Sequence, residues 1–471
     1  FGTAPKFPPS MVLEFLLRHH ARTGDAEALE MVRHTCDAMA RGGMYDQLAG
    51  GFARYSVDAQ WIVPHFEKML YDNALLLRVY TQLWRLTGDP VAARIAAETA
   101  AFLIDDLGTE HGGLASALDA DTEGVEGLTY VWTPAELIEA LGAEAGLRAA
   151  DLFAVTKEGS FEHGRSVLRL ARDVDGADPP VTEDWERIRA RLREARDERP
   201  QPARDDKVVA SWNGLAVTAL VEHSALTGDP VTAAAATRIA EALADRHIVD
   251  GRLRRVSRDG RVGEPAGVLD DYGCVAEAFC AMHQMTGDGR WLDLAGQLVD
   301  VALEHFAAPD GGFYDTADDA EQLVSRPADP TDNATPSGRS AIVAALVSYS
   351  ALTGQPRYRE AAERALATVA PIVSRHARFT GYAATVGEAL LSGPYEIAVV
   401  TREPVGDPLV VAAYRHAPPG AVIVAGVPDQ PGVPLLADRR LLDGNSAAYV
   451  CRGFVCDRPV GSVQDLVAQL R

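Results

Sequence analysis

The sequence predicts a mainly α fold, an (α/α)6 toroid with a small α/β subdomain at its C-terminal end. Three observations predict it: a turn that recurs along the chain, an alternation of short and long connections, and a change in residue usage near residue 394. The turn reads "ARTGDAEAL", "RLTGDPVAA", "ALTGDPVTA", "QMTGDGRWL" and "ALTGQPRYR", centred on Gly24, Gly88, Gly228, Gly287 and Gly354. Glycine after an apolar run supplies the left-handed residue that ends a helix. The Asp that usually follows can cap the next helix, and Pro fits that helix's first turn. Each copy therefore predicts a tight αα-hairpin.

The flanks assign the two helices of each hairpin. "LLLRVYTQLWRLTG" and "AIVAALVSYSALTG" are apolar almost all round, as inner helices are, whereas "VAARIAAETAAFLIDDL" and "RYREAAERALATVAPIV" carry charge on one side, as outer helices do. The return connections are long and open on glycine, at 42, 112, 251 and 311. A period of roughly 60–70 residues with short turns at one end and long loops at the other predicts a closed ring rather than an open solenoid, whose units are shorter. The wide gap between Gly88 and Gly228 predicts one more hairpin, disguised by an insertion. The barrel is expected over 1–393, with a helical excursion at about 134–204 that ends in the solvated "EDWERIRARLREARDERPQPARDDK". From 394, "YEIAVVT", "AVIVAGV" and "SAAYVCR" read as strands between Pro/Gly turns and "VQDLVAQL" as a helix.

Composition narrows the function classes. A net charge of −22 excludes a nucleic-acid footprint, which needs a basic face. No run of about eighteen apolar residues predicts a membrane span. The opening "FGTAPKFPPS" has the character of a linker, not a signal or transit peptide, and predicts a domain upstream. The five cysteines, at 36, 274, 280, 451 and 456, are expected to be reduced thiols of a cytoplasmic protein, with no zinc site around "CRGFVC". A thiol-linked role for Cys451 and Cys456 would need the two sulfurs close together and exposed.

Loops at one end of a rigid scaffold are where function concentrates, and these are rich in carboxylates and aromatic rings. Rings that can stack on C–H faces beside acids that can hold hydroxyls suit a sugar, so the expected substrate is a small carbohydrate and no cofactor is invoked. The candidate catalytic residues are His65, Asp119 and Asp271. The candidate substrate-binding residues are Tyr45, Asp46, Trp61, Glu67, Asp72, Asp121, Trp212, Asn213, Asp270 and Tyr272. His65 follows Pro64 and is expected at the N-terminus of an inner helix, with Lys68 and Asp72 on one helical face; it reads either as a cap or as a proton carrier. Asp270-Asp271 reads either as a helix cap or as an acid or base aimed at the ring centre. "DDKVVASWNGLAV" places Trp212 and Asn213 at the start of a buried helix, where polar groups need a cap or a function. "DADTEG" at 119–124 only superficially resembles a calcium loop, since position 130 is Tyr where a bidentate Glu is needed. No metal is expected.

The block "GGMYDQLAGGFARYSVDAQWIVPHFEKMLYDNALL", followed by "DADTEGVEGLTYVWT", "DDKVVASWNGL", "LDDYG" and "DNATPSGRS", resembles the YyaL-type thioredoxin-domain family, which includes the spermatogenesis-associated proteins. The resemblance runs from "APKFP" to "AYVCRGFVCDRPV" and implies a thioredoxin-like domain upstream as partner. Arg339 stands in "PSGRS" where that pattern usually has Asn. The chain also resembles the toroids of N-acylglucosamine 2-epimerases, cellobiose epimerases and six-hairpin glycosidases. Three functions follow as expectations. The first is a sugar epimerase or isomerase, with His65 moving a proton beside a sugar carbonyl. The second is a glycoside hydrolase with Asp119 and Asp271 as acid and base. The third is a non-catalytic scaffold for the thioredoxin-like domain.

Overall fold

The computed structural model describes residues 3–321 and 323–470, so Phe1 and Gly2 of the opening linker, Gln322 in the 311–338 loop and Arg471 lie outside the described residues. The fold class is the expected one, mainly α and built of α/α-hairpins of the toroid type. Each residue of the recurring turn has a separate task. Helix Leu70–Thr87 ends where Gly88 takes φ +70° and its N–H reaches the Trp84 carbonyl. Thr87 Oγ1 donates back to the Leu83 carbonyl (2.6 Å) and accepts the Asp89 N–H (3.2 Å). The Asp89 carboxylate accepts the Val91 N–H (2.9 Å) and starts helix Pro90–Asp105. The same arrangement recurs around Gly228 and Gly287, while Gln355 in the fifth copy makes no side-chain cap.

A Cβ added at Gly88 or Gly228 would meet nothing within 4 Å. Only the left-handed backbone, and not the space, demands glycine there. Gly88→Ala is expected to cost about 1–2 kcal/mol, read as a lower midpoint in thermal or urea unfolding.

The described chain divides into two compact units. The first comprises Phe1–Pro9, Glu30–Gly108 and Leu114–Asp206. It contains the hairpin Leu70–Thr87/Pro90–Asp105 and the excursion, whose helices Pro134–Leu141, Ala143–Leu152 and Pro179–Asp197 enclose Trp132, Phe153, Trp185 and Leu192 in a cluster of their own. A three-stranded antiparallel sheet pairs Ala117–Leu118 with Lys68–Met69 on one side and Arg204–Asp205 on the other. That sheet returns the chain from the excursion to the start of helix Leu70–Thr87.

The second unit comprises Ser10–Leu29, Thr109–Gly113 and Lys207–Arg471. Its inner helices Ala210–Thr227, Leu269–Thr286, Gly338–Thr353, Gly381–Ser392 and Ser10–Thr23 pack one against the next. Pro230–Ala242, Gly289–His305 and Pro356–Val373 are the outer partners of the first three. Between Gly88 and Gly228 the described helices Pro134–Leu141 and Ala143–Leu152, joined at Gly142, pack against each other and bury their apolar faces in the excursion's core. The additional inner helix is Gly381–Ser392, packed against Ser10–Thr23. Asp332 ties two helix starts together: its buried carboxylate accepts the N–H groups of Ser337 (3.0 Å) and Tyr382 (2.8 Å).

Residues 394–470 carry a four-stranded sheet in the order Val422–Gly426, Glu396–Val400, Ala447–Arg452, Val455–Cys456, parallel at the first pair and antiparallel thereafter. Helix Pro408–His416 makes the crossover between the parallel strands, and Val463–Gln469 packs beside them. One cysteine expectation is overturned here. Cys451 and Cys456 are directly opposed on paired strands and form a disulfide, because the hairpin brings their Cα atoms to 3.9 Å. Cys36, Cys274 and Cys280 are free and buried. No helix among the described residues is long and apolar enough to cross a membrane.

Candidate active site

In the first unit the loop from Gly42 to Met69 is both a clasp and a half-open wall. Tyr45 is buried and its hydroxyl donates to Glu98. Trp61 is buried with Lys6 Nζ 4.5 Å above its ring, and the Trp61 carbonyl accepts the Gly43 N–H (2.8 Å). Asp46 has both oxygens engaged: Oδ1 by the N–H groups of Leu48 and Ala49 and by Arg196, Oδ2 by Arg196 (2.7 Å) and Lys68 Nζ (2.8 Å). Burial pushes its pKa up, but Arg196 and Lys68 outweigh burial and hold this carboxyl well below the usual range. Tyr130 packs over both cations. The remaining space among Tyr45, Asp46, Lys68, Tyr130 and Arg196 is a cavity of about 30 Å³, room for about one water. Tyr45, Asp46 and Trp61 are therefore turned into the protein's own packing.

His65 stands differently from its sequence expectation. Pro64–His65 is a short strand paired with Tyr55–Ser56, and the helix begins only at Leu70. The cause is local. The Asp58 carboxylate gathers the N–H groups of Gln60, Ile62 and Val63 into a turn, and Lys68–Met69 is committed to the sheet with Ala117–Leu118. Lys68 and Asp72 consequently do not share a helical face.

What the strand gives His65 is a set of partners. Nδ1 lies 2.7 Å from Glu126 Oε1, Nε2 lies 3.9 Å from Glu67 Oε2, and the ring stacks on Tyr55 at 4.9 Å and 21°. Glu67 in turn accepts from Arg54 Nη1 (2.9 Å). Asp72, in the first turn of helix Leu70–Thr87, is buried, and its Oδ2 has no hydrogen-bond partner. Burial pushes its pKa well up; Arg54 opposes this and Glu67 adds to it. Glu126 is delivered by a hairpin, Asp121–Thr122 against Val125–Glu126, whose turn residues Glu123 and Gly124 take φ +53° and +78°, the two successive positive φ values of a type I′ turn. The segment that superficially resembled a cation loop is that hairpin. Asp121 sits opposite Glu126 in its register, and Asp119 just before it is exposed.

In the second unit Asp271 is fully buried. Oδ1 accepts the Ser211 N–H (3.0 Å), and Oδ2 accepts the Val268 N–H (3.0 Å) and Arg255 Nη1 (2.8 Å), which also binds Asp270 Oδ1 (2.8 Å). Burial first, then Asp270, push its pKa up to about 7, against Arg255 and the two backbone donors. Folding thus takes up a proton between the ordinary 3.8 and about 7, so the contribution of this group to stability falls as pH rises through that window. Asp271→Asn is expected to flatten this part of the pH–stability curve, measured by urea unfolding at pH 5 and pH 8. Tyr272 is also internal, its hydroxyl accepting from Leu253 N–H (3.1 Å) and Arg252 Nε (3.2 Å).

The inner helices use equivalent positions in equivalent ways. Asp72, Trp212 and Asp271 are each the third residue of their helix. Asn73 and Asn213 are each the fourth, donating back to the carbonyls of Met69 (2.9 Å) and Val209 (3.0 Å). Asn213 is buried and Trp212 half-buried.

Of the sequence candidates, His65, Glu67 and Asp72 are gathered in one cluster, and Asp270 and Asp271 share one arginine. Arg54, Tyr55 and Glu126 complete the first cluster and were not among the candidates. The "EG" turn between β-prone residues was the signal that could have exposed Glu126.

No protein-family model matches the chain. Spermatogenesis-associated protein 20 of Mus musculus is 33% identical over 401 residues, which are 75% of this chain and 51% of that protein. The Homo sapiens protein of that name is 29% identical over 517 residues, 98% of this chain and 65% of that protein. This chain is similar to spermatogenesis-associated protein 20. It spans about half the length of the curated mouse and rat relatives it matches. Among solved structures, a D-mannose isomerase is similar at a TM-score of 0.49 and 11% identity, over 78% of this chain and 76% of that one.

Proposed function

We propose that this protein is a carbohydrate-active enzyme of the isomerase or epimerase kind, in which His65 carries a proton next to the carbonyl of an opened sugar. The observation that carries the reading is the His65–Glu126 pair at 2.7 Å. A carboxylate on Nδ1 makes that nitrogen the donor and leaves the Nε2 lone pair as acceptor, the form a general base needs. Nε2 removes the proton α to the carbonyl, and the electron pair moves onto the carbonyl oxygen. Burial pushes the pKa of Asp72 well up and its Oδ2 has no hydrogen-bond partner, unlike the oxygens of Asp271, which suits this group to supply a proton to that oxygen. Glu67 stands 3.9 Å from Nε2 and stabilises the imidazolium that forms. Return of the proton to the neighbouring carbon, with the hydroxyl proton on the original α carbon passing to the Asp72 carboxylate as that oxygen becomes the new carbonyl, gives isomerisation. Return to the opposite face gives epimerisation and requires a second proton carrier, so a single imidazole favours isomerisation.

The test is a panel of aldoses and ketoses followed by NMR in deuterated water. Deuterium uptake at a sugar carbon, lost in His65→Asn, is expected; a panel without uptake overturns the reading. The hydrolase alternative rests on Asp119 and Asp271, and the burial and full hydrogen bonding of Asp271 count against that residue as an acid acting on substrate. One observation favours the scaffold reading, in which this chain serves a thioredoxin-like domain: Lys68, Arg196 and Tyr130 reduce the space beside Asp46 to room for about one water. An unchanged sugar panel would move the assignment there.

A further inference from the structure

Near the C-terminal end, Cys451 and Cys456 face each other across the hairpin Ala447–Arg452/Val455–Cys456 and are joined. Cys451 is buried, whereas Cys456 lies on the exposed outer strand. Arg439 reaches both sulfurs from one side, with Nη2 3.3 Å from Cys451 Sγ and 3.1 Å from Cys456 Sγ. Arg439 is itself 7% exposed, and its Nε has no hydrogen-bond partner. Nη1 donates to the Ala437 carbonyl (3.1 Å), so the buried guanidinium has only neutral sulfur and carbonyl acceptors on its two Nη atoms, and it is poorly served by a disulfide and well served by a thiolate. The turn between the cysteines is held independently of the S–S bond: the Glu396 carboxylate accepts the N–H groups of Gly453 (3.0 Å) and Phe454 (2.7 Å). The charged and titratable groups acting on Arg439 are Glu396, Tyr449 and Asp438.

We propose that Cys451–Cys456 is a thiol–disulfide exchange site that takes electrons from a dithiol, with Cys456 as the sulfur attacked and Arg439 as the residue that positions and stabilises the departing Cys451 thiolate. The thiolate of the dithiol attacks Cys456 Sγ; an S–S bond forms there and the Cys451–Cys456 bond breaks, its electron pair leaving on Cys451. The second sulfur of the dithiol then attacks its own partner in the mixed disulfide and releases Cys456 as a thiolate. The dithiol ends as a cyclic disulfide, having given up two electrons and two protons, and the protein ends as a dithiol. The Glu396 clamp keeps the sulfurs apposed in both states, so oxidation reverses the cycle without refolding.

The experiment treats the full chain with dithiothreitol under native conditions, with thiols counted by alkylation and mass spectrometry and the fold followed by circular dichroism. The expected result is two new thiols at 451 and 456, an unchanged helical signal, and recovery of the disulfide with oxidised dithiothreitol. Alkylation of the reduced pair against pH is expected to show one thiol below the ordinary cysteine range. Arg439→Met, which keeps the stem over Tyr449, is expected to slow that alkylation at pH 7 by about tenfold, one pH unit in the titration. Cys456→Ser isolates Cys451 and is expected to show the same Arg439 dependence. Thiols that appear only in denaturant, or alkylation profiles indifferent to Arg439→Met in both backgrounds, would overturn the proposal.

Discussion

Asparagine at position 65 is expected to lower deuterium exchange into the responsive sugar by about 10²–10⁴-fold, the usual contribution of a positioned acid–base group. Asparagine matches the Nδ1 side of the imidazole, so its amide can still donate to Glu126 while nothing accepts a proton at the Nε2 position. Tyr55 and the strand pairing Tyr55↔His65 stay in place, so the fold is expected to be unchanged by circular dichroism. Glu126→Gln is the companion. It keeps the contact at Nδ1 but removes the charge, and it should lower the rate less than His65→Asn does. If His65→Asn exchanges at the rate of the unaltered protein, His65 is not the proton carrier.

The largest stability effect is expected at Asp46. Its carboxylate neutralises Lys68 and Arg196 in a site where the side chains of all three are almost wholly inaccessible (6%, 5% and 7% exposed). Removing one partner of a buried ion cluster leaves the others uncompensated, which costs about 3–5 kcal/mol. Asp46→Ala leaves two cations facing each other, and a drop of about 10 °C in thermal midpoint is expected on the usual scale for a unit of this size. The pH dependence has a definite sign. The folded carboxyl is held below its ordinary 3.8, so its stabilisation is present above that pH and is lost as pH falls towards the folded value. Asp46→Asn should therefore lose stability at pH 7 and show a shallower decline below pH 4. Equal midpoints for Asp46→Asn and the unaltered protein at pH 7 would show that the cluster contributes no net stability.

The hairpin turns were legible because they are local. Thr, Gly and Asp each act within four residues of themselves, on a backbone conformation that glycine alone adopts without strain, so five copies announce themselves in one dimension. The strands after residue 394 were legible for the same reason, as β-branched runs between breakers. The place of the additional inner helix was not. Gly381–Ser392 and Ser10–Thr23 are packed together from the two ends of the sequence, and no short-range pattern encodes that.

The candidate site was half legible. The loop 42–77 marked His65, Glu67 and Asp72 by composition, but the carboxylate that meets His65 Nδ1, Glu126, lies far along the chain and arrives on a hairpin. Asp46 and Asp271 were carboxylates in suggestive loops, and only their surroundings separate them from groups open to substrate. Each is closed by backbone N–H groups and arginines contributed from other parts of its unit. Sequence by itself determined the helical hairpins, the subdomain after 394 and the acid-rich loops, because these follow from periodicity, capping and turn stereochemistry among near neighbours. Tertiary structure alone decided which carboxylates are buried and saturated, that His65 meets Glu126, and that Cys451 and Cys456 are joined beside Arg439. Burial and charge pairing are set by residues that meet only after the chain has folded.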